Sequence, residues 1–232
     1  MAVLLLYWNK AGFFGSAGIG LKSEAINNFS NHMSDILEPL FGSKSRARLL
    51  RFFLLNPDQE YSLAEIAKKN MLENSHFQKE INSLRKIKFL LLKTREGKKY
   101  FTLNTDFPFY PELRNLIIKS NVYPQCTSLG KVKGIGDVKL AMMSGVFLNY
   151  PKSKADMLLV VDNINRTKLK NLMNNLEAEI GKEIRYMLIS SEEFKYRMNM
   201  LDRFLLDFIE GPHDELVNKV PMLKRFAATL KR

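Results

Sequence analysis

The sequence predicts an α+β chain in two parts: helices closed by a basic β-hairpin, then a smaller domain in which strands and helices alternate. Three observations carry that expectation. Residues Ser45 to Leu103 hold helical apolar patterns followed by two β-rich runs around a Gly-containing turn. Beyond residue 137 short apolar runs alternate with amphipathic stretches. Between the two, residues 121–137 are rich in Gly, Pro and Ser and read as a linker. With 232 residues, 46% of them hydrophobic, the chain can fill more than one small core.

The elements follow in order. Residues 1–33 read as an N-terminal extension. Its apolar head is too short to span a bilayer and has no basic residue before it, which argues against a signal peptide. Residues 34–120 form the first domain with its connecting helix. Ser43 or Ser45 caps a helix whose apolar residues are Leu49, Leu50, Phe52, Phe53 and Leu55, and Asn56-Pro57-Asp58 stops it. Ser62 and Glu65 have capping-box spacing and open a second helix with Leu63, Ile66 and Ala67 inward. Asn74 or Ser75 opens a third, with Phe77, Ile81, Leu84 and Ile87 as its apolar stripe. The runs on either side of Arg95-Glu96-Gly97-Lys98-Lys99 then form a hairpin, Gly97 supplying the positive φ of the turn. Phe52-Phe53 and Phe107 to Phe109 are expected in the core.

Residues 138–232 form the second domain. Met157 to Val161 is a buried strand, and Thr167 to Ile180 a helix ended by Gly181. Ile184 to Ser190 is another strand. Ser191 opens a helix, and Asp202 to Glu210 makes one more before a basic C-terminal helix.

Charge narrows the function. The net charge is +12, and Ser43 to Asn104 hold fourteen Lys or Arg against six Asp or Glu. A quarter of the chain thus carries about two thirds of the net charge, which points to a polyanionic partner. One cysteine, Cys126, excludes a disulfide framework and a Cys-rich zinc site. It also fits a reducing compartment, so a cytoplasmic location is expected. The three histidines are far apart and lack metal-ligand spacing, so neither metal nor cofactor is expected.

Two short helices, a polar third helix and a basic hairpin make a helix-turn-helix with a β-hairpin wing. Such a unit lays its third helix in the DNA major groove and its wing on phosphates. The residues off the apolar stripe are Ser75, His76, Gln78, Lys79, Asn82 and Lys86. Gln and Asn can pair with adenine edges, and Lys with guanine or phosphate. Arg95, Lys98 and Lys99 are the expected wing contacts. Arg46, Arg48, Lys68 and Lys69 are expected to add phosphate contacts.

From Leu40 to Asn104 the chain resembles winged-helix regulators of the MarR/ArsR type. The matching pieces are LFGSKSRARLLRFFLLNPDQEYSLAEIA, SHFQKEINSLRKIKFL and LLKTREGKKYFTLN. In that family a small residue, often Gly, commonly sits where Lys88 stands. The second half, through Met142 to Asp162, resembles the nucleotidyltransferase-like domain of the polymerase-β superfamily. Active members have a strand ending in Gly-Ser and an Asp-x-Asp pair leading the next strand, which holds two Mg²⁺ ions. Here Ser144-Gly145 stands at the first motif. Asp156 matches the second carboxylate, and Lys154 occupies the place of the first, where a cation opposes metal binding. The resemblance therefore implies a degenerate nucleotide site of Ser144, Gly145, Lys154 and Asp156, with no catalytic residue.

The expected function is that of a duplex-DNA-binding transcriptional regulator, a homodimer with no membrane partner. Its second domain would serve dimerisation or the sensing of a nucleotide or other small effector. The rival is a nucleotidyltransferase brought to nucleic acid by the winged helix.

Overall fold

The computed structural model describes residues 37–72, 74–120, 126–221 and 223. Residues 1–33 lie outside it, and so do the side chains at 74–76, Ser75 and His76 included. The described residues belong to one compact unit. Its architecture is mixed α+β, with two sheets.

The first part begins with α1 (Leu37–Phe41) and α2 (Lys44–Leu55). Ser43 caps α2, its hydroxyl accepting from the Arg46 N–H at 3.1 Å. A two-residue strand, β1 (Tyr61–Ser62), leads into α3 (Leu63–Asn70). The Ser62–Glu65 capping box forms in both directions, satisfying two orphan N–H groups at the start of α3. Helix α4 spans Asn74–Lys86. The hairpin β2 (Leu90–Arg95) and β3 (Lys98–Leu103) completes a three-stranded antiparallel sheet of order β1-β3-β2. Then comes α5 (Tyr110–Lys119). Leu49, Phe52, Phe53, Ile66, Phe77, Ile81, Leu84, Phe89 and Phe101 fill one shared core. Two expected core residues are not in it. Ile87 is 57% exposed because α4 has already ended, and Phe109 is 63% exposed at the lip of α5.

The second part is a four-stranded sheet of order β6-β5-β4-β7. Strand β4 (Asp137–Met143) pairs antiparallel with β5 (Met157–Asp162), and β5 pairs parallel with β6 (Tyr186–Ile189). Strand β7 (Asp214–Asn218) closes the other edge. The two central strands alternate with the period of two that a sheet imposes. Val138, Ala141, Met143, Met157, Leu159 and Val161 face one core, under α6 (Arg166–Ile180) and a 3-10 helix (Thr127–Gly134). Leu140, Met142, Leu158 and Val160 face the other, under α7 (Ser191–Asn199) and α8 (Arg203–Glu210).

Several expected boundaries shift. The stretch read as a linker is largely ordered, its part at 127–134 being the 3-10 helix. Residues 121–125 lie outside the described residues. Helix α7 does open at Ser191, with Ser190 capping it through the Glu193 N–H. Asp202 caps α8 and does not begin it.

The two parts meet along the C-terminal end of α6. The Arg51 guanidinium, from α2, donates to the Glu179 carbonyl at 2.5 Å. The Asn56 amide donates to the Gly181 carbonyl at 2.8 Å, and Lys69 of α3 pairs with Glu183 at 2.8 Å. Gly181, at φ +78°, lies directly against α2. A Cβ there would lie 3.1 Å from Arg51 Cγ and 3.2 Å from the Phe52 nitrogen.

Candidate nucleic-acid interface

Helix α4 is held from three sides before its outer face comes into play. At its start, α3 ends in a left-handed turn at Met71 (φ 49°). The Leu72 N–H returns to the Ala67 carbonyl at 3.1 Å and the Met71 N–H to that of Lys68 at 3.3 Å. This Schellman pattern sets the direction from α3 into α4. Along its length, Glu80 accepts from the Ser43 hydroxyl at 3.2 Å and from Arg46 Nε at 2.8 Å, tying α4 to the start of α2. At its end a second Schellman turn forms. Lys88 has φ 59°, its N–H meets the Arg85 carbonyl at 2.9 Å, and the Phe89 N–H meets that of Leu84 at 3.0 Å.

With Phe77, Ile81 and Leu84 buried, the opposite side of α4 faces solvent. Gln78, Lys79, Asn82 and Lys86 are all exposed. At 3.6 residues per turn they fall within about 100° of arc. Exposed Arg85 borders them, a cation the sequence reading left out although its spacing of three from Asn82 was available.

The hairpin turns in two residues, Glu96 (φ 49°) and Gly97 (φ 74°), between the paired Arg95 and Lys98. Positive φ at both positions is the type I′ geometry, whose twist matches that of the strands. Lys98 and Lys99 are exposed and make no ion pair among the described residues. Arg95 reaches Glu60 at 3.2 Å, and Lys93 reaches it at 2.7 Å. Chiefly through the Lys93 hydrogen bond, and then the Arg95 charge, the Glu60 carboxyl is held below its usual range. Glu60 thereby braces the turn end of β2 from the β1 side.

Some cations expected on phosphates are otherwise engaged. Arg46 is committed to Glu80, Arg48 donates to the Asn70 carbonyl at 3.2 Å, and Lys69 pairs with Glu183. These side chains serve helix ends and packing. Lys68 stays exposed.

Of the four residues assigned to the nucleotide-like site, Ser144, Gly145 and Asp156 are in direct contact, the Ser144 N–H donating to the Asp156 carbonyl at 2.9 Å, but only two of the four face a cavity. Ser144 and Lys154 line an open cavity of about 340 Å³ together with Tyr150, Lys152, Asp207 and Phe208. Lys154 is paired there with Asp207 at 2.9 Å. Gly145 and Asp156 do not line it. Asp156 is fully buried, and both its oxygens are taken. Oδ1 accepts from the Val146 N–H at 2.9 Å and an Arg185 terminal nitrogen at 3.0 Å; Oδ2 accepts from the Arg185 N–H at 2.9 Å and its Nε at 3.0 Å. The pairing holds the Arg185 guanidinium above its ordinary value, chiefly through the hydrogen bond it donates to Asp156. Gly145 (φ +52°) lies flat on the carboxylate, with no room for a side chain. Asp162 is the last residue of β5 and accepts from the Ser191 N–H and hydroxyl.

Among the described residues no group of His, Cys, Asp and Glu is placed to hold a metal, and no helix is long and apolar enough to cross a membrane. Comparison with family models, with curated proteins and with solved structures finds no match.

Proposed function

We propose that this chain is a sequence-specific duplex-DNA-binding transcriptional regulator that reads the major groove with α4 and grips flanking phosphate with the β2–β3 hairpin. The observation that carries the reading is the exposed arc of Gln78, Lys79, Asn82 and Lys86, backed by a helix face buried in the core. Amide and cationic side chains on one face are the donors and acceptors that base edges require. The order α2-β1-α3-α4-β2-β3, with β1 paired to β3, supports the winged helix-turn-helix reading. In this reading Ser75 and His76 stand at the N-terminal end of the reading face.

The second part is proposed as a non-catalytic scaffold for dimerisation or effector sensing. Antiparallel β4–β5 followed by parallel β5–β6 fits the nucleotidyltransferase-like resemblance, with Ser144-Gly145 after the first strand and Asp156 before the second. Asp156 works there as an internal clamp on Arg185. An anionic effector in the cavity beside Lys152 and Lys154 would have to displace Asp207 from Lys154.

Selection of duplexes from a random pool, followed by anisotropy titrations of the recovered site, tests the reading. Asn82→Ala should change which sequences are recovered, each lost base contact costing about 1–3 kcal/mol in discrimination. Lys98→Gln should weaken all sequences alike and lower the salt slope by about 1. Affinity independent of salt, or an Asn82→Ala variant with unchanged preference, would overturn it.

A further inference from the structure

The cations of α4 and the hairpin are not the whole of the exposed positive surface. A second concentration lies on the C-terminal part, where the 3-10 helix runs beside α6. Thr127 and Ser128 meet the Glu179 carboxylate at one end, and the Ile135 carbonyl accepts from the Asn165 N–H at the other. The two helices are therefore antiparallel, and Lys131 and Lys133 lie along the N-terminal half of α6. Lys168 is eleven residues, three helical turns, before Glu179, so it projects on the flank that carries the 3-10 helix. Arg166 and Lys170, four residues apart, stand on the opposite exposed flank of α6, about 160° around the helix from Lys168, so the surface beside the 3-10 helix is made by Lys131, Lys133 and Lys168. All five are exposed.

Two features set this surface apart from an ordinary solvated face. No acidic residue occurs in 127–136 or 163–176, and none of the five cations is ion-paired among the described residues. Elsewhere in the same part Lys139, Lys154, Arg185, Arg197 and Arg203 have carboxylate partners, and the cations without an ion pair among the described residues, Lys152, Lys182, Lys195 and Lys219, are scattered along the sequence. The second feature is placement. Arg166 and Lys168 stand in the first turn of α6, which has no acid. A cation there opposes the helix dipole and costs stability. Helices α3 and α7 follow the stabilising rule, with Glu65 and with Glu192 and Glu193 in their first turns.

We infer that this surface is a second nucleic-acid contact, taking the phosphate backbone of duplex DNA beyond the stretch read by α4. Unpaired Lys and Arg without acids match a polyphosphate. The exposed aromatics Phe109, Tyr186 and Tyr196 lie outside these segments, so the surface lacks the stacking platforms that single strands use, and regular duplex phosphate fits it better. The C-terminal end of α6 is bolted to α2 and α3, and its 15 residues place the cationic end about 22 Å from that junction. That length corresponds to roughly six base pairs of added footprint.

The choice of DNA as ligand rests on the proposed function, and the experiment separates the two. The full chain is titrated against a 40-base-pair mixed-sequence duplex over a salt series. Lys131, Lys133 and Lys168 are replaced together by Gln. A control replaces Lys119, Lys195 and Lys219, three equally exposed lysines elsewhere. A parallel variant replaces Lys98 and Lys99. The surface variant should lower the slope of log affinity against log salt by about 2–3, the control by less than about 1. Its thermal midpoint should not fall, since repulsion and a dipole conflict are relieved, so lost binding cannot be lost folding. A surface variant no different from the control overturns the inference while the α4 reading stands. Loss of slope in the surface variant alone, with the hairpin variant unchanged, sinks the hairpin contact and keeps this one. Failure of the wild-type chain to bind the duplex overturns both.

Discussion

Asp156 offers the sharpest separation of a structural carboxylate from a catalytic one. A metal-binding carboxylate in an open site is held near other negative charge, and neutralising it tends to stabilise the fold at the expense of activity. Asp156 stands in the opposite situation, buried with four hydrogen bonds and a cation. Asp156→Asn keeps the shape but turns one acceptor oxygen into a donor facing donors. Two charge-assisted bonds are lost, each worth about 1.5–3 kcal/mol. Breaking a buried pair costs about 3–5 kcal/mol, but the Arg185 side chain is 55% exposed and water can take up its guanidinium. That discount leaves about 2–4 kcal/mol. For a chain of this length the thermal midpoint should fall by roughly 5–12 °C. Circular dichroism melts of wild type and variant in metal-free buffer read the difference. Gly145→Ala should lower the midpoint by the same route, because its Cβ would overlap the Asp156 carboxylate. An Asp156→Asn midpoint equal to or above wild type would refute the clamp and return the residue to candidacy as a metal ligand.

Lys88→Gly should stabilise. Left-handed backbone costs a non-glycine residue about 1–2 kcal/mol, against about 0.5–1 kcal/mol of extra chain entropy for Gly, so a net gain of about 0.5–1 kcal/mol is expected in urea denaturation; a lowered midpoint would contradict the assigned turn. Acid should destabilise the fold. Ser191 hydrogen bonds hold Asp162 below its ordinary 3.8, Ser62 does the same for Glu65, and Lys69 for Glu183, both from 4.5. Carboxyls lowered in the folded state stabilise above their unfolded values, and that stability is lost as pH falls through the lowered values. Urea midpoints should therefore drop below about pH 4.5, and Ser191→Ala should make the drop shallower; an unchanged acid limb would refute the role of Asp162. Burial, and after it the nearby Glu179 charge, pushes the Cys126 thiol up to about 12. Ellman's reagent at pH 8 should label it only as fast as the chain unfolds, and rapid labelling of the native protein would show the site to be open.

The first part of the chain was the more legible. Phe77, Ile81 and Leu84 are separated by helical spacings, so their burial and the outward face of Gln78, Lys79, Asn82 and Lys86 follow from geometry alone. The capping box at Ser62 and the turn at Gly97 were equally local. Ile87 failed because periodicity continues on paper where the left-handed turn at Lys88 stops it in space. Lys88 itself has φ 59°, a left-handed conformation that favours glycine. Strand β7, DELVN, went unread because its charged, broken alternation carries no signal of its own; pairing with β4 makes it a strand.

Local order along the chain determined where helices start, which faces turn inward and where positive charge concentrates, since each depends on residues within a turn or two of one another. The fold alone decided which cations remain available. Arg46 and Arg48 look like Lys79 and Lys86 in sequence, yet they are spent on Glu80 and the Asn70 carbonyl, 34 and 22 residues away. Arg51, Asn56 and Lys69 reach across more than 100 residues to the end of α6. A charge becomes a structural brace or a free contact according to which acceptor the folded chain brings within about 3 Å of it, and linear order does not contain that distance.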